Sequence, residues 1–462
     1  MTDFSNLLLP DRGEAAHLIT PLAAEDFSTW LKMQPAQVRT LAAANQFKAK
    51  PGELLILPGR KDGEWSAVFG AAKKPGPWDI AAVAQKLPAG SYRLEGEPPA
   101  EGALGWLLAH HRFDRYLEKP EPIPARVLLT KDAAGIASSV ALAEAVALVR
   151  DLVDTPASDM GPAELAAAAE VVAKEHDASF RLTQGDRLDQ DYPLIAAVGR
   201  AATRDRAPRL IEMEWGDPKH PRVAIVGKGV CFDSGGLDIK PPSAMLNMKK
   251  DMGGAAHALA LARLVMGARL PVRLHLLIPA VENAVSAEAF RPGDILRSRK
   301  GISVEIGNTD AEGRLVLGDA LSRAAEDKPL MILDFATLTG AARTALGPDL
   351  PALFANDEGL AADIAFAAQQ VSDPVWRLPL WADYGEMLKS TAADINNAGE
   401  GGMAGAITAA LFLERFVPQG TPWAHFDTFA WRPTAKPGRP KGGDALGMRA
   451  AFAMLRAKFV SA

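Results

Sequence analysis

The stretch VAIVGKGVCFDSGGLDIKP, residues 223–241, sets a short unbroken apolar run, Val223 to Val226, directly before a glycine-rich loop carrying Lys228, Asp233 and Lys240. A continuous apolar run of this length suits a parallel strand buried on both faces. Beyond it the pattern of strand, loop and helix repeats. A helix is predicted to begin near Asp251 and run through Ala258, Leu261 and Val265. Val272 to Ala280 reads as a strand, 313–326 as a helix and 330–333 as another strand. The alternation predicts a doubly wound α/β sheet, mostly parallel and flanked by helices, with ligands at the carboxyl ends of its strands. Lys228, Asp233 and Thr337 fall at such ends.

Upstream, the first hundred-odd residues read as a smaller α/β domain. Ser28 to Asn45 has helical spacing of apolar residues interrupted by Pro35, and Lys61-Asp62-Gly63 reads as a hairpin turn between two strands. The proline-rich stretch from Lys119 to Pro124 suits an extended connector. Ser138 to Val153 has helical periodicity. The expected organisation is a small N-terminal α/β domain over 1–130, a connecting helix over 131–154 and a larger α/β catalytic domain over 155–462.

The chain has 462 residues, 48% of them hydrophobic and 23% charged, with a formal net charge of −5, so no general attraction to nucleic acid or anionic membranes is expected. Its one cysteine, Cys231, excludes an intramolecular disulfide. The acidic N-terminus has no long apolar run, since Pro10 stops the run from Leu7 to Leu9, and a cytoplasmic protein is expected. The most apolar segment, from Ala255 to Val281, is broken by Arg263, Arg269 and Arg273.

Chemistry concentrates between Gly227 and Arg314. Lys228, Asp233, Lys240, Asp251, Asp310, Glu312 and Arg314 all lie in glycine-rich clusters. Hard divalent ions want anionic oxygens, and a pair of ions sharing one site needs several carboxylates. The cations nearby would face negative charge developing on a substrate. Asp310 and Glu312 would diverge by about 200° on a regular helix, so both reach one ion only from a loop or a helix entry. Each residue also has an ordinary structural reading. Asp251 and Asp310 could be helix N-caps, Asp233 the start of an Asx-turn, Met248 core filler, and the lysines members of structural ion pairs. A lysine binds a metal only after losing its proton. The histidines form no HExxH pattern, Gly227-Lys-Gly229 lacks the Ser or Thr of a phosphate-binding loop, and no G-x-S-x-G elbow is present. His257 and His275 are expected to pack, and Cys231 to serve as a small buried residue.

Asn-Thr-Asp-Ala-Glu-Gly-Arg-Leu at 308–315 resembles the signature of the leucyl aminopeptidase family, the cytosolic two-zinc peptidases. The resemblance continues through Val226-Gly-Lys-Gly229, Phe232-Asp-Ser-Gly-Gly236, Ile239-Lys-Pro241, Met252-Gly-Gly-Ala-Ala256, Ala336-Thr-Leu-Thr-Gly340, Val375-Trp-Arg-Leu-Pro379, Ala393-Asp-Ile-Asn396 and Ile407-Thr-Ala-Ala410. It covers roughly 150 to 462, whereas the first 130 residues match poorly. The resemblance implies two divalent ions, zinc or manganese, one tightly held on Lys228, Asp233, Asp251 and Glu312 and a more exchangeable one on Asp233, Asp310 and Glu312. It further implies that Lys240 helps polarise the scissile carbonyl, and that Arg314 holds a bicarbonate acting as general base. Met248, Thr337 and Gly340 would border the pocket for the first side chain. A homohexamer is implied as well. The function so implied is removal of N-terminal residues from peptides, preferably apolar ones such as leucine. The alternatives are a specialised dipeptidase, acting for example on cysteinylglycine, and a DNA-binding regulatory protein, against which the net charge and the absence of a basic tail both speak. Lys249-Lys250, which adds charge just before Asp251, and the loosely matching Lys441-Gly-Gly-Asp-Ala-Leu-Gly447 depart from the family pattern.

Overall fold

The computed structural model describes residues 2–96 and 101–460. The chain divides into two compact units, Met1–Ala147 with Thr434–Lys441, and Leu148–Pro433 with Gly442–Ala462. The predicted helix at Ser138–Val153 is Ile136–Asp154, so the boundary between units falls inside one helix. Near its end the chain returns to the first unit for Thr434–Lys441. The strands Trp431–Arg432 and Gly442–Gly443, which flank that excursion, pair antiparallel.

The first unit holds a six-stranded sheet running from Leu8–Pro10 through Arg126–Thr130, Gly90–Leu94, His17–Ala23 and Trp65–Ala71 to Leu54–Pro58. The predicted hairpin is the antiparallel pair Leu54–Pro58 and Trp65–Ala71. Pro35 splits the predicted helix into Phe27–Met33 and Ala36–Ala44, with Gln34 between them in extended conformation. Proline disfavours helical backbone in the residue before it, which accounts for the break. The stretch from Lys119 to Pro124 does not leave this unit. It leads into Arg126–Thr130, which pairs with both Leu8–Pro10 and Gly90–Leu94.

The second unit is built on a nine-stranded sheet. Its central strands Trp423–Asp427, Met331–Ala336, Arg222–Gly227 and Arg273–Asn283 are parallel. Antiparallel pairing begins towards the edges, at Ala352–Ala355 on one side and Arg209–Trp215 on the other. Val223 to Val226 are wholly buried, as an uninterrupted apolar run requires. Ala224 and Val226 share a core with Leu315, Val316 and Ala320 of the helix Glu312–Glu326. The helix predicted to start near Asp251 starts at Gly253 instead, after a 3-10 turn over Met248–Met252. Two consecutive glycines are poor helix formers, and the tighter turn ahead of them carries Lys250, Asp251 and Met252 inward to buried positions.

Candidate metal centre

Neighbouring parallel strands end at one place. Lys228 follows Arg222–Gly227, Asp233 closes Gly229–Asp233, and Thr337 follows Met331–Ala336. The 3-10 turn brings in Asp251. The remaining two carboxylates come from the entry to the helix Glu312–Glu326, where Ala311 has φ −103° and ψ 39°. That non-helical residue frees Asp310 and Glu312 from helical divergence. Carboxylate oxygens of Asp233, Asp310 and Glu312 lie within 4.8 Å of one another.

Lysines thread this cluster. Lys228 Nζ donates to Asp251 Oδ2 at 2.6 Å and lies 2.9 Å from Glu312 Oε1. Lys240 Nζ contacts Asp233 Oδ2 at 2.8 Å and also pairs with Asp310. The backbone supporting them is tight. Gly235 and Gly236 take φ of +90° and +68° so that the loop after Asp233 folds back. A Cβ on Gly313 would sit 2.5 Å from Lys228 Cε, so only glycine leaves that lysine its channel.

Neutral side chains hold the loops in register. The Asn283 amide donates to Asp233 Oδ1 at 2.9 Å and to the Thr309 carbonyl at 3.1 Å. Asn397 accepts from Gly307 N at 2.8 Å and donates to the Asn308 carbonyl at 2.7 Å. Arg314 donates to the Asn397 carbonyl at 2.7 Å. Thr337 Oγ1 donates to Asp251 Oδ1 at 2.9 Å. Sequence reasoning did not find Asn283, Asn397 or Thr309, whose roles appear only once separate strands and loops are brought together.

The structural alternatives resolve individually. Asp233 does start an Asx-turn, since Gly235 N donates to its Oδ1 at 2.9 Å, while its other oxygen faces Lys240. Neither Asp251 nor Asp310 caps a helix. The caps are Met252 and Ala311, and neither makes a side-chain capping bond. Met248 is half-buried and borders a cavity instead of filling the core. Cys231 is buried, and burial pushes its thiol pKa up, as for an inert packing residue. His257 accepts from Leu446 N at 2.9 Å and packs as expected. His275 lies within 3.3 Å of Glu212 and of Asp327, in a network also containing Glu214. Arginines 222, 273 and 323 already neutralise those acids.

The electrostatics test whether divalent ions suit the first cluster. Glu312 is buried, and apart from the Lys228 ammonium neither of its oxygens has a hydrogen-bond donor among the described residues. Burial and the nearby Asp233 carboxylate push its pKa up to about 8, and push that of Asp310 up to about 6. Lys228 shifts upward too, which for a lysine keeps the charge. Burial opposes its charge, yet Asp251 and Glu312 hold its proton well above the ordinary lysine range. Carboxylates crowded enough to protonate, with Glu312 met by no donor but a lysine, fit a site made for more positive charge than lysines supply. The donor set of oxygens plus one amine suits divalent metal ions.

A cavity of about 400 Å³ opens beside the cluster. Every predicted site residue except Glu312 borders it, including Met248, Thr337 and Gly340. Lys250, Arg343 and Phe429 border it too, and sequence reasoning gave none of them a role in substrate binding.

Comparison with known proteins agrees with this geometry. The family description "Cytosol aminopeptidase family, catalytic domain" matches residues 147–452, and "M17 aminopeptidase, N-terminal domain" matches 18–130. The resemblance therefore extends into the first unit, which the motifs alone did not reach. A probable cytosol aminopeptidase of Syntrophotalea carbinolica is 42% identical over 75% of this chain and 72% of its own. Another, from Geobacter sulfurreducens, is 40% identical over 79% of this chain and 77% of its own. The crystal structure of cytosol aminopeptidase from Coxiella burnetii superposes with TM-score 0.93 at 44% identity, covering 98% of this chain and 99% of that one. The bottromycin maturation enzyme BotP, solved in complex with Mn, superposes with TM-score 0.87 at 31% identity over 96% of this chain and all of its own.

Proposed function

This chain belongs to the cytosol aminopeptidase family, and from that premise we propose that its metal-dependent release of N-terminal residues from peptides runs through the carboxylate cluster around Glu312. It is a hydrolase of the aminopeptidase class. The observation carrying the reading is the convergence of Asp233, Asp310 and Glu312 on one small volume, beside a cavity large enough for a side chain.

Lys228, Asp233, Asp251 and Glu312 would hold one ion, and Asp233, Asp310 and Glu312 a second, with Asp233 and Glu312 shared. Two divalent ions in such a site supply Lewis acidity toward the scissile carbonyl and make an attacking water more acidic. Lys228 must release its proton to serve as a ligand, and its ammonium faces Asp251 and Glu312. Lys240 stands between Asp233 and Asp310, positioned to meet an oxygen on which charge develops during attack. Arg314, anchored by Asn397 with its Nε unpartnered among the described residues, would hold bicarbonate as the proton acceptor. Met248, Thr337 and Gly340 would receive the first side chain, and a thioether and a methyl group there suit an apolar residue such as leucine.

Zinc or manganese, a homohexamer and a cytoplasmic setting complete the proposal, and the metal analysis of native protein separates the two ions. No helix among the described residues is long and apolar enough to cross a membrane. Asp310→Asn or Glu312→Gln should abolish hydrolysis of leucine p-nitroanilide, with circular dichroism unchanged. N-acetylated peptide should resist the wild-type protein. Normal turnover in either variant would remove these residues from the site.

A further inference from the structure

The wall of the cavity that faces the first side chain is not wholly apolar. Arg343 lies on the short helix Gly340–Leu346, and its Nη2 is 3.7 Å from where a Cβ on Gly340 would stand. Its guanidinium carbon sits 4.7 Å from the centroid of the Phe429 ring. The ammonium of Lys250 lies 5.6 Å from the same ring. A cation over an aromatic face gains a modest attraction, so Phe429 steadies both cations at the cavity border.

Their carboxylate partners are few. Arg343 forms no ion pair among the described residues, and Lys250, although only 5% exposed, meets only Asp251 Oδ1, at 3.0 Å. Asp427, the other carboxylate bordering this part of the cavity, is taken up elsewhere. It accepts from Leu338 N at 3.0 Å, Thr339 N at 3.1 Å and Thr339 Oγ1 at 2.6 Å. A guanidinium fixed at a cavity border without a carboxylate offers a planar fork of donors matched to one.

We propose that Arg343, with Lys250 and Phe429, forms a carboxylate-accepting wall of the substrate cavity, widening the range of substrates beyond peptides that begin with an apolar residue. The carboxylate can come from two sources, an acidic first side chain or the free C-terminus of a short peptide. The inference rests on the aminopeptidase reading and on the cavity bordered by Met248, Thr337 and Gly340.

The test uses metal-loaded full-length protein and isosteric pairs differing only in charge. One pair is glutamyl and glutaminyl p-nitroanilide, and the other is Leu-Gly and leucyl-glycinamide. The wild type should favour the charged member of one pair by about 10-fold or more in kcat/KM. Arg343→Met should bring that ratio close to one, and Lys250→Met should reduce it. Loss in the first pair identifies the side chain as the source, and loss in the second identifies the C-terminus. Ratios near one in the wild type for both pairs, or ratios that neither substitution changes, overturn the proposal. Calorimetry with free glutamate and free glutamine compares the same two chemistries without turnover. If leucine p-nitroanilide is not cleaved by the wild type, the aminopeptidase reading fails. In that case tighter binding of glutamate, lost in Arg343→Met, still upholds the wall, and equal binding overturns it.

Discussion

Asn283 shows at the residue scale what a charge-based reading cannot see. In the parallel pairing of Gly229–Asp233 with Arg273–Asn283, Asp233 and Asn283 are register partners, so the amide lands on the carboxylate it orients. The same amide ties down the loop carrying Asp310, through the Thr309 carbonyl. Removing it with Asn283→Ala should weaken retention of metal by about 10- to 100-fold, as is usual for a group that orients a ligand. Competition against a graded chelator, with folding followed by circular dichroism, measures this. Unchanged retention would make Asn283 merely structural. The charged members of the site were legible because carboxylates and lysines in glycine-rich loops are uncommon and chemically pointed. A neutral amide at the end of a strand gives no comparable signal. Lys250 was visible as an added charge before Asp251, but its place on the cavity wall depends on Phe429, which is far away in sequence.

Elements were legible where one hydrophobic period ran unbroken. The strand around Val223 to Val226, the helix Glu312–Glu326 and the hairpin in the first unit all follow from local pattern. The 3-10 turn over Met248–Met252 did not, because the glycines after it suspend the helical pattern where the chain tightens. The strand Arg209–Trp215 carries a further consequence. Its Glu212 is buried among Arg181, Arg323 and His275 at 2.7, 3.1 and 3.3 Å. Burial alone would raise its pKa, but the hydrogen bond from His275 and the two guanidinium groups hold it at about 2. A carboxylate whose folded pKa is depressed contributes stability that is complete above its ordinary value, about 4.3, and lost as pH falls toward the folded one. The urea midpoint of the wild type should therefore drop between pH 5 and pH 3. Glu212→Gln should start lower and drop less over that interval, and parallel profiles would exclude Glu212 as the cause.

For the whole molecule, the family descriptions match residues 18–130 and 147–452, and so reach a first unit in which sequence reading finds no motif. Among the described residues that unit gathers no candidate metal-binding group, so no chemically pointed signature announces it. Assembly is the property least legible in a single chain. With 49.0 kDa per chain, the proposed homohexamer should scatter light as a particle about six times heavier, and a monomeric mass would remove that part of the proposal.

The excursion at Thr434–Lys441 has a bearing on how the molecule can come apart. The polypeptide crosses from one unit to the other inside the helix Ile136–Asp154, and again on either side of the excursion. A single protease cut near residue 147 would thus separate the polypeptide into two, yet leave Thr434–Lys441, a part of the first unit, on the fragment that carries the second. Only a second nick beyond Pro433 and a third before Gly442 would free that segment from the second unit's polypeptide as well.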